Sequence, residues 1–244
     1  YANKANSLSV LKKFEEAQLS YDLAIYHRPN YAKAHFNKGK SLKECGELKR
    51  AILSFDLAIE FNPNIEYISG EIFHIKMLLC LWNNFSKSQK ELKNKIIKNN
   101  KVITPFPLLA LIDDPKLQKK AAEIYANDNF PESHALPKLK PYQKHTKIRV
   151  GYFSADFKMH PVATLTAELY ETHDRAQFEI HAFSFGPDTN DEMNLRIKAG
   201  VDHFHEVRSK SDQDIALLAR SLEIDIAIDL GGYTADSRTG IFAM

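Results

Sequence analysis

The residue best placed to do chemistry is a histidine between a strand-like run and the start of a helix. The stretch RVGYFSADFKMHPVATLTAEL begins at Arg149 and reaches His160 immediately before Pro161. Proline suits the first turn of a helix, and the positive end of the helix dipole favours neutral imidazole over imidazolium. A neutral imidazole can accept a proton from a hydroxyl group or orient that group by hydrogen bonding. His160 is therefore predicted either to act on a substrate or to cap the helix.

Other candidate residues follow later in the chain. The run DHFHEV carries His203 and His205 on one face of a strand, and Tyr233 follows a double glycine. The histidine pair could ligate zinc, but no third ligand is evident nearby, so no metal site is predicted. Arg238 could contact a phosphate or an acidic side chain, or lie on the surface as arginines more commonly do. Four further titratable residues are expected to be structural, because nothing pairs them into an acid–base couple: His173, His181, Asp156 and Asp229.

The elements that must position these residues alternate between strands and helices. Apolar and β-branched runs predict strands at 147–154, 178–185, 202–207 and 225–230. Helical patterns lie between them at 161–171, 191–199 and 211–224, the last with Ser211 and Asp214 as a capping box. This order predicts a Rossmann-like parallel sheet with helices on both faces. Ligands bind outside the carboxyl ends of such strands, where loops 154–160, 185–191 and 231–238 would lie.

The first third of the chain repeats itself. AQLSYDLAIYHRPN at 17–30 and AILSFDLAIEFNPN at 51–64 are offset by 34 residues, with matching alanines, aromatic residues and closing prolines. This period and punctuation are typical of tetratricopeptide repeats. Tyr1 aligns with His35, inside a repeat, and a stable solenoid needs about three repeats. Further repeats are therefore expected upstream of Tyr1.

A helical spacer is predicted between the repeats and the sheet. An apolar stripe runs to Trp82, which with Met77 is expected to pack the end of the repeats against the segment that follows. A charged helix is predicted up to Asn100, and another over 115–126 with Asp114 as its cap. The predicted domains are tetratricopeptide repeats at 1–64, a helical spacer and proline-rich linker at 65–146, and an incomplete Rossmann-like lobe at 147–244.

Composition narrows the classes of function. The formal net charge is +2, which is too small to create an overall electrostatic field that would attract nucleic acid or an anionic membrane. The two cysteines lie in helical patterns without a nearby partner, which fits a reducing compartment. There is no apolar run of about 18 residues, and no Gly-x-Gly-x-x-Gly pattern for a dinucleotide. A cytoplasmic protein that binds neither nucleic acid nor membrane is predicted.

The combination of motifs resembles one enzyme family. The repeats, the spacer and the motifs RVGYFSADFKMHPVATL, DHFHEV and DLGGYTADSRTGIFA together resemble the protein O-linked N-acetylglucosamine transferases, including bacterial and SPINDLY-like members. The segments HIKMLLCLW and PFPLLALIDDPKLQKKAAEIY are similar to the spacer of the bacterial members.

The resemblance implies a GT-B glycosyltransferase with two Rossmann-like lobes and a cleft between them. It implies a nucleotide-sugar donor, usually UDP-N-acetylglucosamine, a serine or threonine acceptor on a protein, and inversion at the anomeric carbon. No metal or other cofactor is expected. By this resemblance, His160 takes the place of the histidine proposed as general base. His203 and Tyr233 match residues that line the acceptor side of the cleft.

The resemblance also implies that the second lobe, with the nucleotide site, lies beyond Met244. On this interpretation the full-length protein is a transferase whose repeats select the substrate protein, and residues 1–244 alone are inactive. The alternative is a non-catalytic interaction protein, whose repeats bind partners and whose Rossmann half is vestigial.

Overall fold

The computed structural model describes residues 1–138, 142, 145–234 and 236–244. The chain divides into two compact units, Tyr1–Ala126 and Asn127–Met244. The first unit is helical and the second is built on a parallel sheet, so the predicted order of a helical region followed by a Rossmann-like sheet is confirmed. Part of the predicted linker, residues 139–141, 143 and 144, lies outside the described residues. Among the described residues, no helix combines the length and the apolar character needed to cross a bilayer.

The first unit begins with two pairs of helices. The helices are α1 (Ala2–Val10), α2 (Phe14–His27), α3 (Ala32–Glu44) and α4 (Leu48–Phe61). A three-residue connection joins the members of each pair, so they run antiparallel. The starts and ends of α2 and α4 are 34 residues apart, which is the sequence period.

The repeated alanines and aromatic residues form the core of these helix pairs. Ala17 and Tyr21 of α2, and Ala51 and Phe55 of α4, are at most 1% exposed. A Cβ on Gly39 would lie 2.6 Å from the ring of Phe55. Glycine at this position therefore allows α3 and α4 to approach closely.

Four more helices complete the spacer region: α5 (Ile68–Leu78), α6 (Phe85–Ile97), α7 (Pro105–Leu111) and α8 (Pro115–Asn129). The charged helix and the Asp114 cap are confirmed, since Asp114 Oδ1 accepts the backbone N–H of Lys116 at 3.0 Å. Helix α7 was not predicted, because its prolines indicate a loop. Both prolines lie in the first turn, where a missing N–H costs nothing.

The predicted packing role of Trp82 is wrong. Its side chain is 59% exposed, whereas Met77 packs at the edge of the apolar cluster that includes Phe73 and Ile103. The sequence stripe assumed one continuous helix up to Trp82. Helix α5 instead ends at Leu78, and Cys80 takes a left-handed backbone conformation with φ of 56°. The chain therefore turns before Trp82 can reach the core.

The second unit contains one sheet of four parallel strands. The strands are β1 (Ile148–Ser154), β2 (Phe178–Ser184), β3 (His203–Glu206) and β4 (Ile226–Asp229), and their order is β3-β2-β1-β4. The connecting helices are α9 (Pro161–Thr172), α10 (Glu192–Gly200) and α11 (Asp212–Ser221), and a 3-10 helix spans Thr239–Ala243. Every predicted strand and helix of this unit is present, and the Ser211–Asp214 capping box is formed.

Helices cover both faces of this sheet. Tyr152 of β1 packs with α9 and α10 on one face, in the cluster that contains Tyr170 and Ile197. Phe153, the next residue, packs with α11 on the other face. Leu136, from the segment predicted as linker, is also buried against the α11 face.

The order of the strands creates a crevice at one point of the sheet. From β1 the chain passes through α9 to β2, whereas α11, on the opposite face, leads into β4 on the other side of β1. The connections leaving β1 and approaching β4 therefore diverge. In open parallel sheets this divergence opens a ligand crevice outside the carboxyl ends of the strands, here those of β1 and β4.

Candidate functional site

His160 lies at the carboxyl edge of the sheet, in the connection from β1 to α9. It is the N-cap residue of α9, with extended backbone angles, and Pro161 occupies the first helical position. The side chain is partly accessible at 38% exposure. It also forms part of an open, mostly apolar depression with Met159 and Leu165. His160 therefore lies at the predicted junction between a strand and a helix, and its imidazole is accessible there.

The cap fixes the state of the imidazole ring. The backbone N–H of Val162 donates to His160 Nδ1 at 3.2 Å. An acceptor nitrogen carries no proton, so the hydrogen of the neutral ring is on Nε2. In this conformation His160 presents an Nε2–H donor, and the lone pair that a general base needs is occupied by the cap. Of the two chemical roles open to a neutral imidazole, the geometry favours orientation by hydrogen bonding.

An acidic side chain lies next to His160, which the sequence analysis did not predict. Asp156 Oδ2 lies 3.7 Å from His160 Nδ1, and its side chain is 22% exposed. The backbone N–H of Asp156 donates to Ser154 Oγ at 2.9 Å, which fixes the start of the loop. The two side chains are therefore neighbours, but an Nδ1 that accepts from Val162 has no proton to donate to Asp156, so the expectation that Asp156 is structural stays a prediction. The four-residue spacing of Asp156 and His160 was a signal, but only a turn of this shape makes it a contact.

The loop that carries His160 is held by helix α10. Asp191 caps α10 by accepting the backbone N–H of Asn194 at 2.9 Å, and its other oxygen accepts the N–H of Met159 at 2.9 Å. The fully buried Asn194 donates to the carbonyl of Phe157 at 2.6 Å. Hydrogen bonds, the strongest from Thr189, lower the pKa of Asp191. These bonds position the residues just before His160.

A glycine allows the loops after β1 and β2 to lie against each other. A Cβ on Gly186 would lie 1.8 Å from the carbonyl oxygen of Ala155. No side chain can be accommodated at that distance. Gly186 therefore sets the start of the loop that ends at His160.

Tyr233 lies in the loop after β4, the other strand that borders the crevice. Asp229 Oδ1 accepts the backbone N–H groups of Gly231 and Gly232 at 2.8 and 3.1 Å, and Gly232 has a positive φ of 53°. This turn directs the backbone along the carboxyl edge of the sheet. Because Asp229 holds the turn, the expectation that it is a structural residue is confirmed. Tyr233 is half-buried there. The structure thus brings the loops of His160 and Tyr233 to neighbouring strand ends.

Arg238 is engaged within the protein. Its Nε donates to Asp212 Oδ1 at 2.7 Å, and its Nη2 donates to the carbonyl of Lys210 at 2.9 Å. Of the two predicted contacts for Arg238, the acidic side chain is the one formed.

His203 lies away from this edge. His203 pairs with His181 in the sheet register. Three residues of β3 separate it from Glu206 at the carboxyl end of the strand, so it lies about 10 Å below the strand ends. Its Nε2 lies 2.9 Å from Glu179 Oε1, within a cluster that also contains His205. The structure therefore does not bring His203 together with His160 and Tyr233.

Comparisons with known proteins agree with this architecture. The profile of glycosyl transferase family 41 matches residues 124–244. A relative from Arabidopsis thaliana, described as probable UDP-N-acetylglucosamine–peptide N-acetylglucosaminyltransferase SEC, is 28% identical over 71% of this chain and 19% of its own length. The UDP-N-acetylglucosamine–peptide N-acetylglucosaminyltransferase of Caenorhabditis elegans is 31% identical over 42% of this chain and 9% of its own length.

A solved structure shows the same fold. A point mutant of the Thermobaculum terrenum O-GlcNAc transferase aligns with a TM-score of 0.65 and 19% identity, covering 99% of this chain and 47% of that one. The chain thus spans about half of the solved structure and about a fifth of the plant relative. Residues 124–244, which carry the sheet and its crevice, thus match the profile of glycosyl transferase family 41, and the chain is similar in sequence to proteins named as peptide N-acetylglucosaminyltransferases.

Proposed function

We propose that this chain is part of an inverting protein O-glycosyltransferase that moves N-acetylglucosamine from UDP-N-acetylglucosamine to serine or threonine hydroxyls. The observation that carries the proposal is His160, held at the carboxyl edge of β1 beside the crevice. The similar proteins from Arabidopsis thaliana and Caenorhabditis elegans are named as enzymes that transfer N-acetylglucosamine from UDP-N-acetylglucosamine to a peptide. In this assignment the second unit is the first lobe of a GT-B enzyme.

In the proposed reaction His160 is a hydrogen-bond donor. Its Nδ1 accepts from the backbone of Val162, so the Nε2–H is directed to the reactants. A fixed donor stabilises an oxygen that gains negative charge in the transition state, and it needs no reorganisation when the charge develops. Tyr233, at the neighbouring strand end, is proposed to contact the acceptor, whereas His203 is left out because of its position.

The helix pairs of the first unit are proposed to be tetratricopeptide repeats that select substrate proteins. Their 34-residue period and buried alanines support this assignment. An open depression among α1, α2 and α3 is lined by apolar surface and by several polar side chains that internal bonds hold in place. Asn6 Oδ1, for example, accepts from Tyr21 Oη at 2.8 Å and from Asn37 Nδ2 at 2.9 Å. Such fixed polar groups suit the backbone of an extended peptide.

The proposal assigns no cofactor or metal to the transfer step and places the protein in the cytoplasm. Cys45 and Cys80 are both free thiols, which suits a reducing compartment. Residues 1–244 are proposed to be inactive on their own. The support is that they span only 47% of the solved structure they resemble, so about half of that structure has no counterpart in these residues.

The proposal is tested in the full-length gene product with radiolabelled UDP-N-acetylglucosamine and a serine-containing acceptor peptide. His160→Ala and His160→Asn should each lower kcat by about 100-fold or more, the usual effect of losing a transition-state donor. Asparagine is a good N-cap, so the second variant keeps the fold. His134→Ala, at an exposed histidine of the same unit, is the matched control.

Three outcomes would contradict parts of this proposal. Unchanged kcat in both His160 variants would make His160 a cap without a role in transfer. Sugar transfer by residues 1–244 alone would refute their predicted inactivity. A full-length protein that binds partner proteins but transfers no sugar would favour the non-catalytic interaction protein instead.

A further inference from the structure

A cluster of three histidines and a glutamate lies on the α11 face of the sheet, below the proposed active edge. Glu179 and His181 lie on β2, and His203 and His205 lie opposite on β3. The four side chains share one face because each pair is two residues apart in its strand. One ligand atom from each of Glu179, His181 and His203 can lie within 4.8 Å of the other two.

Two distances in this cluster are close to those between the ligand atoms of a metal site. Glu179 Oε1 lies 2.9 Å from His203 Nε2 and 3.4 Å from His181 Nε2. Zinc bonds to nitrogen and oxygen are about 2.0 to 2.2 Å long, so ligand atoms at tetrahedral corners are about 3.3 Å apart. Two histidines and one glutamate are a ligand set that zinc uses, with the fourth position open to water.

An unsatisfied nitrogen points into the site. His181 is 2% exposed, and its Nε2 makes no hydrogen bond, although Glu179 Oε1 is only 3.4 Å away. A buried polar atom without a partner is costly. In the tautomer with the His181 proton on Nδ1, the Nε2 lone pair faces the carboxylate oxygen of Glu179, which is repulsive unless a cation lies between them. The structure therefore holds an arrangement that a bound cation would stabilise.

His205 supplies the support that metal-binding histidines usually have. His181 Nδ1 lies 3.1 Å from His205 Nε2, and the two rings are stacked at 6°. A hydrogen bond from Nδ1–H to His205 leaves the lone pair of His181 on Nε2, which is the tautomer that binds a metal there. His205 is thus a positioning residue for His181.

The charges around the cluster are mixed and leave an access route. Arg149 Nε donates to the other oxygen of Glu179 at 3.3 Å, so Oε1 stays directed at the histidines. The exposed side opens into a cavity of about 520 Å³, whose other charged lining groups include Lys147 and Asp202. His203 has a side chain that is 49% exposed, so an ion can reach the site from solvent.

We propose that Glu179, His181 and His203 bind one Zn²⁺ ion, with His205 as the outer support of His181. The site is separate from the proposed sugar-transfer edge, because its strand positions lie about 10 Å below the strand ends. The ion joins β2 to the short strand β3, and it stabilises the second unit because it binds only the folded arrangement.

The test uses residues 1–244, stripped of metal with a chelator and titrated with zinc chloride by calorimetry at about pH 7.5, where the histidines are mostly neutral. One ion should bind, and His203→Ala should raise the Kd by more than 100-fold. His205→Asn should raise it by about 10- to 100-fold, the usual cost of losing an outer partner. His134→Ala, remote from the cluster, should bind zinc like the wild type.

A second variant distinguishes the loss of a zinc ligand from a loss of folding. Glu179→Gln keeps an oxygen that can accept from His203 but removes the charged ligand, so zinc should bind more weakly while circular dichroism is unchanged. Zinc should also raise the Tm of the wild type and leave that of Glu179→Gln unchanged. The proposal is overturned if the wild type binds no more tightly than His203→Ala and Glu179→Gln, or if zinc does not raise its Tm.

Discussion

The cap at His160 makes a quantitative prediction about stability. Replacing His160 with alanine removes the acceptor of the Val162 N–H bond, whereas asparagine restores an acceptor at the same position. Loss of an N-cap acceptor costs about 1 kcal/mol. The bond is 3.2 Å long and the side chain is partly exposed, so a larger effect is not expected.

This free energy translates into a measurable midpoint. For a unit of this size the urea dependence is about 2 kcal/mol per molar, so His160→Ala should lower the urea midpoint by about 0.5 M. His160→Asn should stay within about 0.2 M of the wild type, because asparagine is among the best capping residues. Circular dichroism follows both units, and fluorescence of Trp82 follows the first unit as an internal control.

A local readout separates the cap from other effects. Hydrogen exchange at the Val162 amide should be faster in His160→Ala than in the wild type, and nearly restored in His160→Asn. Equal midpoints for the alanine and asparagine variants, with equal exchange at Val162, would refute the cap. They would also remove the reason for placing the imidazole proton on Nε2.

Further predictions concern the surroundings and the other unit. Asn194→Ala removes the donor to the Phe157 carbonyl and should destabilise the second unit by about 1–3 kcal/mol in urea unfolding; an unchanged midpoint would show that this bond does not hold the loop. Phe55→Ala should destabilise the first unit by about 3–5 kcal/mol by emptying a core site, whereas Leu53→Ala at the exposed face should cost little. Asp191, whose pKa is lowered chiefly by the Thr189 hydrogen bond, should stabilise the fold above its ordinary pKa and lose this effect in acid. The difference in unfolding free energy between wild type and Asp191→Asn should therefore shrink from about pH 5 to about pH 3, and a constant difference would contradict this role.

Much of the fold follows from local patterns in the sequence. The 34-residue period and the alternation of strands and helices are set by residues close in the chain, and their bounds agree with the structure to within a few residues. The capping box at Ser211 and the cap at Asp114 likewise depend on residues close in the chain. Trp82 was misplaced because a periodic stripe does not reveal the left-handed turn at Cys80 that interrupts it.

The candidate site was only half visible in the sequence. The position of His160 at a strand end and a helix start could be predicted, because both signals lie within a few residues. The bond from Asn194 to Phe157 joins residues 37 apart, and the Glu179–His203 contact joins residues 24 apart. Such contacts depend on strand order and register, which no local pattern specifies. The approach of Glu179 and His181 to His203 was overlooked for this reason.

The cap of α9 and the proposed donor role both depend on the tautomer of His160. Nitrogen chemical shifts measure this tautomer directly. Residues 1–244 labelled with ¹⁵N on histidine give long-range proton–nitrogen spectra in which protonated and bare ring nitrogens are well separated. His160→Asn identifies the signals of this ring among the ten histidines. Because Nδ1 accepts from Val162, the neutral ring should carry its proton on Nε2 and none on Nδ1. A bare Nε2 with the proton on Nδ1 would contradict both the cap and the proposed donor role.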